Sequence, residues 1–241
     1  MPSGDFTDLA EHAARSAQLD PSDSTDLTQA KAKVNEIYLS VCHDGSAWDF
    51  LEREGQWTTT AGSDVYTYSS LVTAMSITSA TIREVVALTN DTLGGTLLTS
   101  TDWRGLEAYS YTTQESEEGR GSPTSWAKWA SRLRLYPIPD ATYTIGTFCY
   151  LTPTEMSSGT DTPLIPLQHR HSVIVPGAAA LLLEQEGGNE AGGAYERLMR
   201  RHTDAVRNMR MALASAKAPT FNVVAPGAFD HLDSGYEGWN W

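Results

Sequence analysis

The sequence predicts an α+β chain: N-terminal and C-terminal helices forming a helical bundle, a central antiparallel β domain, and an extended C-terminal arm. Three observations carry this. Of the 27 threonines, 22 fall between Thr58 and Thr162, and threonine suits a pleated surface. Ten alanines lie between Gln168 and Ala218, a stretch with Thr203 as its one threonine, and alanine is the best helix former. Third, the hydrophobic period shortens near Gly55 and lengthens again after Pro166, as it does when helix gives way to strand and strand to helix. The boundaries that follow are 1–54 for an N-terminal helical part, 55–166 for a β-rich insertion, 167–217 for a helical hairpin and 218–241 for the arm.

A short helix is expected over 6–17, then a turn through Asp20-Pro21-Ser22, then a longer helix over 24–42. In the longer helix Leu27, Ala30, Val34, Ile37, Tyr38 and Val41 recur at intervals of three and four, which gathers them on one face. Asp20, Asp23 and Asp26 have the wrong spacing for a calcium loop and suit the capping and positive end of that helix. His43-Asp44-Gly45 gives the stop signal, and Ala47-Trp48-Asp49-Phe50-Leu51 reads as an aromatic turn or short helix.

From Gly55 alternation takes over. Residues 56–60 and 65–68 read as two short strands joined by the turn Ala61-Gly62-Ser63-Asp64, with further strands at 81–88, 93–98, 132–136 and 142–151. Together they predict an antiparallel sheet or small sandwich. Residues 110–125 are polar, acidic and glycine-containing, as an exposed loop is. After Pro163-Leu164-Ile165-Pro166, a helix apolar almost all round includes Val173, Ile174, Ala178, Leu181 and Leu182 and should be buried. Pro176 inside it predicts either a start or a kink at that point. Past the glycines at 187, 188, 192 and 193, a last helix over 194–216 carries Tyr195, Leu198, Met199, Ala205, Val206, Met209 and Leu213 on its apolar face. Arg197, Arg200, Arg201, Arg207 and Arg210 lie elsewhere on it and are candidates for a subunit interface or a channel lining.

In the tail, Pro219, Pro226, Gly227, Gly235 and Gly238 exclude a regular helix. Phe221, Val223, Val224, Phe229, Tyr236, Trp239 and Trp241 are nevertheless too apolar for a solvated linker. Such residues suit a segment that either folds back on its own domain or forms an arm that grips a partner chain through aromatic anchors.

Charge and chemistry narrow the function. The net charge of −13, from 30 acidic and 17 basic residues in 241, argues against a protein that wraps nucleic acid through a generally basic surface. No run approaches the roughly 18 apolar residues of a membrane span, and the start lacks the features of a secretory signal, so a soluble, unsecreted protein without a membrane partner is expected. Cys42 and Cys149 read as two buried small hydrophobes. His169-Arg170-His171 offers two ligands, short of a zinc set. His43-Asp44 lacks an accompanying nucleophile motif, and phosphate-binding glycine loops are missing. Glu52 with Glu54, or Glu117 with Glu118, are pairs that any acidic chain supplies. No catalytic residue, metal ligand or cofactor is nominated, and an enzyme is not expected.

Several motifs in fixed order suggest a relationship. They are Val34-Asn35-Glu36-Ile37-Tyr38, Trp48-Asp49-Phe50-Leu51, Trp57-Thr58-Thr59 with Ala61-Gly62, and Gly121-Ser122-Pro123-Thr124-Ser125-Trp126. Leu133-Arg134-Leu135-Tyr136-Pro137-Ile138-Pro139-Asp140, Tyr150 and Leu164-Ile165-Pro166 follow. In these the chain resembles the head-to-tail adaptor proteins of tailed bacteriophages, of the podovirus type, over most of residues 24–216. The stretch 88–121 is longer than a minimal adaptor needs, and the first twenty residues match none of its motifs.

The resemblance implies a structural virion protein of the head-tail neck, made in the host cytoplasm. It implies a ring, expected to be a dodecamer, beneath the portal protein, with a tail or nozzle protein below. Genomic double-stranded DNA would pass through the channel without sequence-specific binding, and the arm would reach the portal. The alternative from the residues is a β-sandwich carbohydrate- or receptor-binding virion component, with Trp57, Trp103, Trp126 and Trp129 as a stacking platform. An acidic hydrolase is a third reading, which nominates no carboxylate pair.

Overall fold

The computed structural model describes residues 4–44, 48–106, 119–187 and 192–217. In chain order the elements are α1 (Phe6–Ser16), α2 (Ser24–His43), a 3₁₀ turn (Asp49–Leu51), β1 (Glu52–Thr58), β2 (Val65–Thr67) and α3 (Tyr68–Ala74). Then come β3 (Ala80–Asn90), a second 3₁₀ turn (Asp91–Leu93), β4 (Thr96–Leu97), β5 (Thr99–Ser100), β6 (Ser125–Trp129), β7 (Arg132–Tyr136) and β8 (Thr144–Pro153). Two long helices close the described chain, α4 (Leu167–Gly187) and α5 (Gly192–Lys217). The fold is α+β.

Each N-terminal helix starts at an aspartate. The Asp5 carboxylate accepts the Asp8 backbone N–H at 2.9 Å, and Asp23 accepts those of Thr25 and Asp26 at 2.7 and 3.3 Å, so donors without an intrahelical partner are satisfied. Phe6, Leu9, Ala10, Ala13 and Ala14 form the buried stripe of α1; Ala30, Val34, Ile37, Tyr38, Val41 and Cys42 form that of α2. Both stripes join one hydrophobic core with Val173, Ile174, Ala178, Ala179 and Leu182 of α4 and Met209 of α5.

The fourth helix begins at Leu167 and runs through Pro176, so the reading in which it starts at the proline is corrected. Proline removes one rung of the helical ladder. Beside that gap the Val173 carbonyl accepts a hydrogen bond from Nδ1 of His202, 2.7 Å away on α5. Because a carbonyl only accepts, this contact places a proton on Nδ1.

A second core is built by the strands, from residues including Trp57, Leu71, Val85, Leu88, Trp126, Leu133, Leu135, Ile145 and Cys149. The strands form two four-stranded sheets, ordered β1-β8-β3-β4 and β2-β7-β6-β5. All pairings are antiparallel except β5 with β6, where Thr99 and Ser100 run parallel to Ser125 and Trp126.

Several expectations for this region are corrected. The strands expected at 56–60 and 65–68 do not form a hairpin: β1 pairs with β8 from Glu52↔Tyr150 to Thr58↔Thr144, and β2 pairs with β7 in the other sheet. The connecting turn folds instead against residues 139–143. Thr59 N–H donates to the Tyr143 carbonyl and Gly62 N–H to that of Pro139, with Gly62 at φ 79°. Tyr68 starts a helix, because the Thr67 hydroxyl accepts the Ser70 N–H at 3.2 Å and caps it. The strand expected at 93–98 is cut short by Gly94 and Gly95, at φ 78° and 79°, so that a 3₁₀ turn ends at Leu93, β4 covers only Thr96–Leu97, and β5 begins past it at Thr99. Strand β6 was not expected, and Thr124 and Ser125, assigned to the loop at 110–125, belong to its edge. Residues 110–118 of that loop lie outside the described residues.

Candidate functional site

The outward side of α5 is a long exposed surface of the helical part. Of its described side chains Met209 alone is fully buried. Leu198, Ala205, Val206 and Leu213 pack part-buried against the helical core, while Arg197, Arg200, Arg201, Arg207 and Arg210 all face solvent. A helix held on one side displays its other side to partners.

The five arginines divide into two groups. Arg210 pairs with Asp44 just past the end of α2, and its guanidinium lies 5.3 Å from the centre of the Trp48 ring. Trp48 in turn donates its indole N–H to the Val41 carbonyl at 2.8 Å and stacks on Phe50 at 5.4 Å. Arg210 therefore fastens α5 to the end of α2. Arg207 meets Asp204 one turn earlier at 3.7 Å, an exposed pair of small energetic weight.

Arg197, Arg200 and Arg201 form no salt bridge among the described residues. Arg197 and Arg201 edge an open groove of about 380 Å³ between α5 and the end of α1, lined also by Ser16, Gln18, Leu183 and Leu198. On the outer side the three arginines share a second hollow with Glu196 and Asp204. Spacings of three and four put 197, 200, 201 and 204 on one helical face. The result is a localised cationic strip on a strongly acidic chain.

The tryptophans do not line up as a platform. Trp57 and Trp126 are buried in the β core; Trp57 donates its N–H to the Thr147 hydroxyl at 2.8 Å and lies tilted against Tyr66. Trp103 is covered by the Arg134 guanidinium at 4.8 Å, and Trp129 stands exposed by itself. Buried indoles cannot stack on a ligand, so the four tryptophans do not make one stacking platform.

Titration behaviour follows local contacts. Backbone N–H donors hold Asp23 and Asp161 below the usual carboxylate range, and hydrogen bonding to Lys128 does the same for Glu84. A general acid needs a shift in the other direction. Burial pushes the Cys42 thiol up to about 12 and Cys149 up to about 11, which keeps both as inert thiols; both cysteines are free and buried.

His169 and His171 do not act as a pair. Both lie in the first turns of α4, and His171 turns toward α1, where its Nε2 meets Asp8 at 3.0 Å. Sequence alone does not reveal this partner, although Asp8 and His12, four apart on an amphipathic helix, already share a face. Phe221, Val223, Val224, Phe229, Tyr236, Trp239 and Trp241 lie outside the described residues.

The model of the SU10 adaptor protein family matches residues 5–220, almost the whole chain. The chain belongs to the SU10 adaptor protein family. No curated protein gives a significant match. This adaptor is therefore a structural virion protein of a bacteriophage, of a kind that associates with other phage head and tail proteins. Among its described residues no helix is long and apolar enough to cross a membrane.

Proposed function

We propose that this adaptor is a podovirus-type head-to-tail connector that assembles as a ring, a dodecamer, beneath the portal. It joins the portal to a tail or nozzle protein and continues the DNA channel through the neck of the virion. The observation that carries the reading is α5, a helix of 26 residues and so about 39 Å long at 1.5 Å per residue. It is packed along one side and exposed along the other, as suits helices laid side by side around an axis.

The charge distribution supports the same arrangement. The Arg197, Arg200 and Arg201 strip gives each subunit a basic edge, and the net charge of −13 supplies acidic surface for a neighbour to present to it. In a closed ring every such contact repeats by symmetry, and a portal offering many equivalent sites raises the effective concentration of neighbouring subunits. An acidic channel wall would let DNA slide without adhering. In this reading residues 1–54 and 167–217 act as the ring-forming helical units, 55–166 as a β domain at the outer edge, and 218–241 as the arm. Phe221, Val223, Val224, Phe229, Tyr236, Trp239 and Trp241 are then the anchors that grip the portal.

The test is co-sedimentation with the portal ring of the same phage, comparing the full chain with one ending at Lys217. Binding by the full chain and its loss on truncation supports the connector with the arm as its grip. Binding by both supports the connector and overturns the role of the arm. Failure of both, with the chain folded and the portal ring intact, overturns the connector reading.

A further inference from the structure

Where α1 crosses the start of α4, two imidazoles converge on one carboxylate. Asp8 and His12 stand one turn apart on α1, and His171 reaches them from α4 across 163 positions of sequence. His171 Nε2 lies 3.0 Å from Asp8 Oδ2, and His12 Nε2 lies 3.5 Å from Asp8 Oδ1. The two rings meet edge to face, with centroids 5.1 Å apart. One ligand atom from each residue falls within 4.8 Å of the others.

The surroundings hold this geometry in place. The buried stripe of α1 fixes which way Asp8 and His12 face, and hydrogen bonds from Phe6 N–H to the Asp161 carbonyl and Thr7 N–H to that of Gly159 fix its height. Asp8 Oδ2 also accepts the Gly4 N–H at 2.8 Å, which orients the carboxylate. Neighbouring charges are engaged elsewhere: Glu11 pairs with Arg15 at 2.8 Å, and Arg170 donates to the carbonyls of Ile165 and Gly4.

Donor chemistry points the same way. A single dication between the three groups can be shared by the two imidazole nitrogens and the carboxylate. Zinc binds imidazole nitrogen at about 2.0–2.1 Å and carboxylate oxygen at about 2.0–2.2 Å, so tetrahedral ligand atoms stand roughly 3.3–3.5 Å apart. The contacts at 3.0 and 3.5 Å are near that spacing. His12, whose side chain is 42% exposed, has room to turn its ring and close the remainder. Two nitrogens and one oxygen favour zinc-class cations over magnesium or calcium.

We propose that Asp8, His12 and His171 bind one divalent transition cation of the zinc class, with solvent completing the shell, and that the ion staples α1 to α4. The reading is independent of ring assembly. It calls for calorimetric titration of Zn²⁺ into the chelator-treated full chain, with Co²⁺ absorption in the visible range as a second readout of coordination. Saturable binding of one Zn²⁺ per chain, tighter than about 100 µM, is expected. His12→Ala and His171→Ala should each weaken it by at least about tenfold, while His169→Ala and His43→Ala leave it unchanged. His12→Ala removes an exposed ring, and circular dichroism confirms that its fold is kept. Absence of saturable binding, binding that survives both His12→Ala and His171→Ala, or binding that falls with His169→Ala would each overturn the proposal.

Discussion

Replacing Gly177 with alanine sets two effects of known sign against each other. In a helix interior glycine is worse than alanine by about 0.8–1.0 kcal/mol, so propensity alone makes Gly177→Ala stabilising. Packing opposes it, because a Cβ at this position would lie 2.9 Å from His202 Nδ1 and 3.0 and 3.1 Å from Cδ1 and Cγ2 of Ile37. The crowded atoms belong to both neighbouring helices, α5 on one side and α2 on the other. Overfilling such a site costs about 1–3 kcal/mol, and displacing His202 from the Val173 carbonyl forfeits roughly 1 kcal/mol more. The net is a loss of about 1–3 kcal/mol. With a urea slope of about 2 kcal/mol/M, the midpoint read by far-ultraviolet circular dichroism should fall by roughly 0.5–1.5 M. Ile37→Val, which removes Cδ1, should recover part of that loss when combined with Gly177→Ala. A midpoint equal to or above that of the parent would refute the reasoning, since α2 and α5 would then be yielding without cost.

Thr147→Val should destabilise the β core by about 1–3 kcal/mol, because the valine cannot accept the buried Trp57 indole N–H; Thr147→Ser, which keeps the hydroxyl, should cost less, both read by tryptophan fluorescence in urea. Asp23 and Asp161 are held below the usual carboxylate range by backbone N–H donors. Their stabilisation is complete above the unfolded carboxylate value of about 3.9 and disappears as pH falls through the lower folded values. Asp23→Ala and Asp161→Ala should therefore lose Tm at neutral pH and show a flatter decline on acidification, by scanning calorimetry across that range. An acid limb unchanged in both variants would contradict the assignment.

Local signals made the helices legible. Asp23 opens a helix whose apolar positions repeat at three and four, and Ala30, Val34, Ile37, Tyr38 and Val41 among them are buried. Strand partnership was not legible, because β1 chooses β8 over its near neighbour in sequence, and no local pattern records a choice made by two distant edges. Helix α3, YSSLVTA, is rich in residues that also suit strands, and the capping hydroxyl of Thr67 was its one local marker. The arginines of α5 were found by spacing, but only packing separated Arg210, fixed over Trp48, from the strip at 197, 200 and 201. His171 was noticed beside the wrong partner, since Asp8 reaches it through the tertiary fold.

The two passages of chain between the helical and β cores are both moored to α2. On the outward passage the Trp48 indole holds the Val41 carbonyl. On the return, the Asn35 amide grips Met156 by both its N–H and its carbonyl, at 3.0 and 2.9 Å, and the Tyr38 hydroxyl accepts the Leu164 N–H at 3.2 Å. These moorings make α2 an axle. A torque applied to either core therefore reaches the other partly through this rod, with α1 sharing the return passage through its bonds to the Gly159 and Asp161 carbonyls, and slackening Asn35 would shift that load onto α1.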